Sequence, residues 1–134
     1  MAALTALLTA AAVPVFRATV GRLYLRQDAE SVAELLRYAR QRARTAKAPV
    51  RAVPDPEDGC LRLEQFDGER YRPLDGPLAR RCTGVPAAIE PPGAALEFGA
   101  GGQAGPARVL LRRAERKGFA VVVDRDAIEV APEE

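Results

Sequence analysis

The 134-residue sequence lacks histidine and tryptophan altogether, and cysteine occurs only at Cys60 and Cys82. Without histidine, a serine, threonine or cysteine nucleophile has no usual general base, so the sequence argues against a hydrolase triad. Two cysteines without histidine cannot complete a four-ligand zinc site. Aromatic residues make up 5% of the chain, so few side chains are available to stack on bases. Nothing in the sequence supports an enzyme, and we assign no catalytic residue, cofactor or metal site.

Charge is absent from the first sixteen residues, and Pro14 is the only helix-breaking residue in the run Ala2–Phe16. A cleaved secretion signal would have basic residues before its apolar run, and here Met1 leads directly into Ala2. A membrane span needs about 20 apolar residues, so this run is too short to be a complete one. We interpret it as the back portion of a spanning helix, with a buried core helix as the alternative.

The next segment, Arg17–Lys47, is charged but keeps a helical pattern. It carries eight basic and three acidic residues, a net charge of +5, whereas residues 48–134 carry twelve basic and fifteen acidic residues, a net charge of −3. Arg37, Arg40 and Arg44 share one helix face, which we expect to be solvated. A neighbouring face has apolar residues at spacings of mostly three and four, which predicts a buried stripe. The stripe consists of Val20, Leu23, Val32, Leu35, Leu36, Ala39, Ala43 and Ala46.

The sequence predicts one continuous helix through both segments. No glycine or proline lies between Arg22 and Ala48, and Pro49 supplies the stop. Ser31 and Glu34 have the spacing of a capping box, which would instead mark the start of a separate helix. We favour continuity because of the uninterrupted stretch on both sides of Ser31.

The remainder of the chain consists of short extended segments separated by turns, and Asp67-Gly68 is its strongest hairpin signal. No further helical pattern is long enough to cross over between parallel strands, so we predict an antiparallel sheet with one face on the helix stripe. The fold class is therefore α+β, with an apolar helix segment (residues 1–16), an amphipathic helix (17–47) and a β-rich domain (48–134). The predicted strands are Val50–Val53, Cys60–Phe66, Glu69–Arg72, Ala87–Glu90, Ala95–Phe98, Arg108–Arg113, Phe119–Asp124 and Ile128–Ala131.

Three further motifs suggest a binding site or a covalent link. The run Gly99–Ala104 has the spacing of a dinucleotide-binding loop, but extended residues follow it instead of a helix that would hold a pyrophosphate. The acidic pair Glu57-Asp58 lacks the spacing of a calcium-binding loop. Cys60 and Cys82 are predicted to form a disulfide, which would close a loop of about 23 residues and stabilise the fold by about 3 kcal/mol. Two reduced, buried thiols are the alternative.

Five stretches of the sequence carry a family resemblance. They are Ala12–Phe16, which ends the apolar run, the helical stretch Leu35–Ala43, the strand Pro49–Arg51, and the C-terminal stretches Arg108–Arg112 and Gly118–Asp124. In order and approximate spacing they resemble type IV pilin-like proteins, in particular the minor pseudopilins of the GspH/FimT class from bacterial type II secretion and type IV pilus systems. The resemblance covers nearly the whole chain and implies a pilin-like fold.

The resemblance implies a structural subunit that takes part in assembling the tip or initiation complex of a type II secretion pseudopilus for protein export. The implied partners are other minor and major pseudopilins, the inner membrane and the assembly platform of the secretion system. The apolar helix would cross the bacterial inner membrane once and leave the domain in the periplasm, before it joins the pseudopilus. The loop Gly99–Pro106 and the turn Asp55–Gly59 are the candidates for partner contact. The expected filament or membrane contacts are Leu4, Leu7, Leu8, Val13, Pro14 and Phe16.

The N-terminus departs from the family pattern. Pilin-like proteins typically begin, after a short basic leader and a glycine at the peptidase cut, with a phenylalanine and an apolar stretch that has a glutamate near its start. In this sequence no acidic residue precedes Asp28. We therefore expect the chain to begin several residues inside the mature helix.

A different function within the same resemblance is DNA binding, because some FimT-like minor pilins bind DNA during uptake. Arg112, Arg113 and Arg116 are the candidate contacts, since phosphate binding needs basic side chains clustered on one face. The net negative charge of the domain and its few aromatic residues argue against this function. An unrelated membrane-anchored β-domain is the third alternative.

Overall fold

The first element of the structure is one long helix, α1, from Ala2 to Ala46. The predicted continuity is confirmed, and Ser31 lies inside the helix instead of starting a new one. The helix ends where Lys47 adopts a left-handed backbone with φ of 53° and the Ala48 N–H donates to the Ala43 carbonyl at 3.3 Å.

This computed structural model describes residues 2–55, 59–84, 87–90, 96–104, 106–112, 118–125 and 127–133, and over residues 2–22 the helical backbone alone.

The β-rich domain covers α1 from Leu25 onward. Leu25 is 8% exposed, whereas Leu23 is 54% exposed. The predicted burial of Leu23 is therefore wrong, because this residue lies before the first position that the domain covers. The stripe is confirmed from Val32 to Ala43, and its several alanines let the sheets approach the helix closely. Ala46 is only partly buried, and the side chain of Val20 lies outside the described residues. The buried apolar residues on α1 are Leu25, Ala29, Val32, Ala33, Leu35, Leu36, Ala39 and Ala43.

The strands form two sheets, and every strand pair within them is antiparallel. The first sheet has the order β3-β2-β1-β6, with β4 also paired to β2, and the second has the order β5-β7-β8-β9. The bounds are Val50–Asp55 for β1, Cys60–Phe66 for β2, Tyr71–Pro73 for β3, Arg80–Cys82 for β4, Ala87–Glu90 for β5, Leu96–Phe98 for β6, Ala107–Leu111 for β7, Phe119–Val123 for β8 and Ile128–Pro132 for β9.

The structure confirms the antiparallel α+β fold and differs from the prediction in two details. The predicted sheet is divided in two, because β6 pairs with β1 whereas the next strand, β7, pairs with β5 and β8. The short strand β4 and the 3₁₀ helix Pro77–Ala79 that precedes it were not predicted. Both lie in a stretch that reads as a turn, since three residues are too few to show a strand pattern.

Both sheets turn an apolar face toward α1. Along β8, Val121 and Val123 point inward and are at most 1% exposed, whereas Val122 between them is 37% exposed. In the first sheet, Leu63 of β2 and Phe98 of β6 occupy the same core. One face of the helix thus packs against the inner faces of both sheets, and its side chains join them into one hydrophobic core.

Candidate functional site

Two arginines of α1 bind the hairpin between β8 and β9. The Arg37 guanidinium donates to the Ile128 carbonyl at 2.7 Å, and the Arg40 guanidinium donates to the Asp124 carbonyl at 2.6 Å. Arg40 is only 8% exposed, and the central carbon of its guanidinium lies 5.6 Å from the centre of the Phe98 ring. The predicted solvation of this arginine face is therefore wrong for Arg40, because the β8–β9 hairpin reaches over it.

Arg44 extends the same row to the glycine-rich loop between β6 and β7. Its Nε donates to the Gly101 carbonyl at 3.3 Å. Gly102 is buried under this side chain with φ of 83°, and a Cβ at that position would overlap it. The Gly99 N–H donates to the Gln103 carbonyl at 2.8 Å, so the loop closes on itself. The run that resembles a nucleotide-binding loop is thus a connection from the first sheet to the second that packs on the helix.

The helix exposes two large apolar side chains just before the domain begins. Leu23 is 54% exposed and Tyr24 is 60% exposed, and the next residue, Leu25, is buried. One turn further, an Asp28 carboxylate oxygen accepts the Gly84 N–H at 3.0 Å. We call residues 17–24 the neck, because they separate the apolar run from the part of α1 that the domain covers.

A segment of the first sheet crosses the helix directly above the neck. We call residues 74–84 the strap; it contains the 3₁₀ helix and β4. The predicted disulfide is present and links Cys60 of β2 to Cys82 of β4, which are opposite one another in the strand register. A guanidinium nitrogen of Arg81 lies 3.8 Å from a carboxylate oxygen of Glu34 on α1. The strap is therefore bonded to both the first sheet and the helix.

The outer face of the first sheet carries an ordered polar cluster that the sequence did not reveal. Arg51 donates from Nε to a Glu64 carboxylate oxygen at 2.8 Å, and its guanidinium carbon lies 4.0 Å from the centre of the Tyr71 ring. The Tyr71 hydroxyl donates to Glu97 at 2.6 Å. Partial burial, and then this bond to a carboxylate, raise the pKa of Tyr71 to about 12. The four residues come from four different strands, so only the register brings them together.

Known structures share this arrangement of one helix and two sheets. No protein-family model matches the sequence, and no curated protein matches it. The chain matches a structure of the minor pseudopilin EpsH from the type II secretion system of Vibrio cholerae with a TM-score of 0.68 and 13% identity, over 84% of this chain and 97% of that one. A second EpsH structure matches with a TM-score of 0.67 over 83% and 98% of the two chains. The fold is pilin-like.

A pilin from a different system has the same pilin-like fold. The type IV minor pilin FimU of Pseudomonas aeruginosa matches with a TM-score of 0.63 and 17% identity, over 85% of this chain and 92% of that one. Both systems are therefore represented among structures similar to this chain. At these identities the likeness concerns the fold alone.

The predicted filament contacts lie on the first half of the pilin-like helix. The structure places their backbone within α1, and their side chains fall outside the described residues, so the contacts stay predictions. Within the part of the chain described in full, no helix is both long and apolar enough to cross a membrane. These positions are Leu4, Leu7, Leu8, Val13, Pro14 and Phe16.

Of the three predicted DNA contacts on the pilin-like domain, the structure describes only Arg112. Its guanidinium pairs with Glu133, whose side chain is 4% exposed and also accepts the Gly118 N–H at 3.0 Å. Arg113 and Arg116 lie outside the described residues. This pairing occupies part of the hydrogen-bonding capacity of Arg112, and the role of all three in binding DNA stays a prediction.

The remaining candidate sites of the pilin-like domain are a turn and a group of acidic side chains. In the turn predicted to contact partners, the Gly59 N–H donates to the Asp55 carbonyl at 3.0 Å, and residues 56–58 lie outside the described residues. Across the described ranges, no group of three or more cysteine, aspartate or glutamate side chains is placed to hold a metal ion. The loop and the turn stay predictions as partner contacts.

Proposed function

We propose that this chain is a minor pseudopilin, a structural subunit that takes part in assembling the tip or initiation complex of a type II secretion pseudopilus for protein export. The observation that carries the proposal is the match to EpsH, which extends over 84% of this chain and 97% of that one. The proposed partners are other minor and major pseudopilins, the inner membrane and the assembly platform of the secretion system.

The division of the chain supports a path from membrane to filament. We assign residues 1–16 to the inner membrane and later to the filament core, residues 17–47 to the connection, and residues 48–134 to the periplasm. The disulfide between Cys60 and Cys82 supports an oxidising compartment of this kind. Pro14 has no N–H to donate, so it weakens the helix locally and would ease its transfer from the bilayer into a filament.

The bonds between helix and domain support a role as a subunit whose helix and domain move together. Arg37, Arg40 and Arg44 hold the second sheet and the glycine-rich loop on α1, and the strap holds the first sheet. The helix and the domain are thereby bonded at several separate points. A displacement of the helix during assembly would therefore carry the domain with it.

The direct test is deletion of the gene in the native bacterium, followed by complementation with the full chain. We expect an exported enzyme to accumulate in the periplasm after deletion and to return to the medium on complementation. The double variant Leu7→Arg with Leu8→Arg should fail to complement, because charges do not pack in an apolar filament core. Arg70→Gln, on an exposed turn of the domain, is the matched control and should complement. Unchanged export in the deletion strain would contradict the proposal.

A second candidate function is that of a FimT-like minor pilin that binds DNA during uptake. The match to the type IV minor pilin FimU favours a pilus system, and loss of pili or transformation with unchanged export would support it. DNA binding should then weaken steeply as salt rises and should be lost in a variant with Arg112, Arg113 and Arg116 replaced by glutamine. No binding to duplex DNA at low salt would eliminate this candidate.

A further inference from the structure

The neck of the helix has an unusual surface for a segment next to a folded domain. Leu23 and Tyr24 are adjacent, both more than half exposed, and no other large apolar side chains on the described part of α1 are exposed to this degree. Single exposed apolar residues are ordinary on protein surfaces. Two together, at the boundary between an apolar helix and a domain, indicate a surface that is covered in the cell.

The charge around this pair is positive. Arg17, Arg22 and Arg26 lie within ten residues, and the first acidic residue of the chain is Asp28, whose carboxylate is already bonded to the strap. Arg26 is exposed beside the apolar pair. A tyrosine, a leucine and several arginines on one short helical stretch match the phosphate layer of a membrane, where tyrosine rings sit at the headgroups and arginines bind anionic lipids.

The length of the neck also matches that layer. A helix rises about 1.5 Å per residue, so the Cα of Tyr24 lies about 12 Å beyond that of Phe16, the end of the apolar run. Helical side chains lean toward the N-terminus, so the Tyr24 ring lies below the level of its own Cα and closer to Phe16. The headgroup layer on each side of a bilayer is about 5–7 Å thick. Leu25, the first residue covered by the domain, follows immediately.

We propose that the neck, with Arg26 beside it, binds the headgroups of anionic phospholipids through Leu23, Tyr24 and the arginines of this stretch, and seats the domain directly on the membrane surface. This inference rests on the proposed function, because it requires the apolar run to enter the membrane. It adds a specific lipid contact that holds the subunit upright before it joins a filament. Extraction into a filament then has to break this contact as well as remove the apolar run.

The absence of tryptophan from the chain makes the contact measurable. In the full chain, Tyr24→Trp places the only tryptophan at the neck, and Leu78→Trp places it on the 3₁₀ helix of the domain instead. Leu78 is 50% exposed. It serves as the control because it lies before Gly84 in the strap, and Gly84 is the residue that bonds to Asp28 beside the neck. Each variant is reconstituted in vesicles of phosphatidylethanolamine and phosphatidylglycerol, with and without brominated acyl chains near the headgroup.

We expect the brominated lipids to quench the tryptophan at position 24 and to leave the one at position 78 unquenched. Acrylamide in the water should quench position 24 about twofold less than position 78, since the headgroup layer shields the ring. Arg22→Gln with Arg26→Gln should reduce the lipid quenching at position 24 by about twofold. The matched pair Arg42→Gln with Arg70→Gln, exposed arginines of the covered helix and the domain, should leave it unchanged.

Each contrary result has a distinct meaning. Flotation with the vesicles but equal acrylamide quenching at both positions overturns the headgroup contact alone. Position 24 could instead be shielded from acrylamide without being quenched by lipid, and this shielding could increase with the protein-to-lipid ratio. That result overturns the headgroup contact and indicates that a second protein subunit covers the neck. Lipid quenching that is insensitive to the arginine replacements overturns the assignment to anionic headgroups. Failure of the chain to float with vesicles overturns the membrane step of the proposed function together with this inference, whereas loss of export with intact lipid quenching leaves the inference standing.

Discussion

The two sheets are attached to the same helix by different kinds of bond. The second sheet is held by buried side chains along β7 and β8 and by arginine donors from α1 to the β8–β9 hairpin. The first sheet shares the core but also depends on a disulfide and on a strap that lies across the helix. The strands β7 and β8 of the second sheet are five residues long and rest on the core, whereas the three-residue strand β4 is also tied to β2 by the disulfide.

The largest expected effect comes from removing that covalent link. Cys60→Ala with Cys82→Ala should lower the free energy of unfolding by about 3 kcal/mol, because the unfolded chain regains the freedom of a loop of about 23 residues. The loss should be measured by urea denaturation with the parent protein, oxidised and reduced, as the reference. Amide hydrogen exchange should accelerate in β4 and the strap, while the order of protection within β7 and β8 stays the same.

Equal acceleration of amide hydrogen exchange in both sheets would contradict this difference between them. That result would mean that the disulfide stabilises the whole domain only through the unfolded state and that the strap has no separate stability. Alkylation of the reduced parent provides an independent check. Cys82 is exposed and Cys60 is 4% exposed, so Cys82 should be modified first if only the strap opens.

The second effect is specific to the other sheet. Arg40→Met keeps an apolar stem of similar length over Phe98 but removes the donor to the Asp124 carbonyl, so it should cost about 2 kcal/mol. Amide exchange should accelerate around the β8–β9 hairpin and not in the strap. Arg37→Met is the matched control, because its donor also reaches this hairpin from an exposed position, and it should cost about 1 kcal/mol or less. Equal losses for the two variants would show that the burial of Arg40 contributes nothing.

Periodicity along the chain is sufficient to predict the helix and most strands, because these depend on neighbouring residues. The uninterrupted stretch before Pro49 predicts α1, and Asp67-Gly68 predicts the turn between β2 and β3. The burial of Arg40 is a different matter, since it depends on where a hairpin more than eighty residues later comes to lie. A solvated arginine face and a bonded one have the same sequence spacing.

The candidate surfaces divide in the same way. The apolar run, the Arg-rich neck and the cysteine pair are all visible in the sequence, because composition and residue type define them. The pairing of Arg112 with Glu133 is not visible in the sequence, since it requires β7, β8 and β9 to be aligned so that these two side chains meet. The sequence pattern does not predict the exposure of Leu23, because the helical period continues toward the N-terminus beyond the part of α1 that the domain covers.

The smallest effect concerns one turn at the margin of the first sheet. The Asp67 carboxylate accepts the N–H groups of Arg70 and Glu69 at 2.9 Å and pairs with Arg72. These bonds, the two backbone donors foremost, lower the pKa of Asp67 to about 2 from an ordinary value of 3.8. Since the charged form is favoured in the folded state, its stabilising contribution is complete above pH 3.8 and is lost as the pH falls through about 2.

Asp67→Asn should therefore be less stable than the parent at neutral pH, and the difference should shrink as acid protonates the parent carboxylate. The measurement is the free energy of unfolding of both proteins from about pH 5 down to about pH 2. Arg72→Gln is the informative control, because it removes the side-chain partner and leaves both backbone donors, so most of the pH dependence should persist. Parallel curves for the parent and Asp67→Asn would mean that the turn is held by its backbone alone.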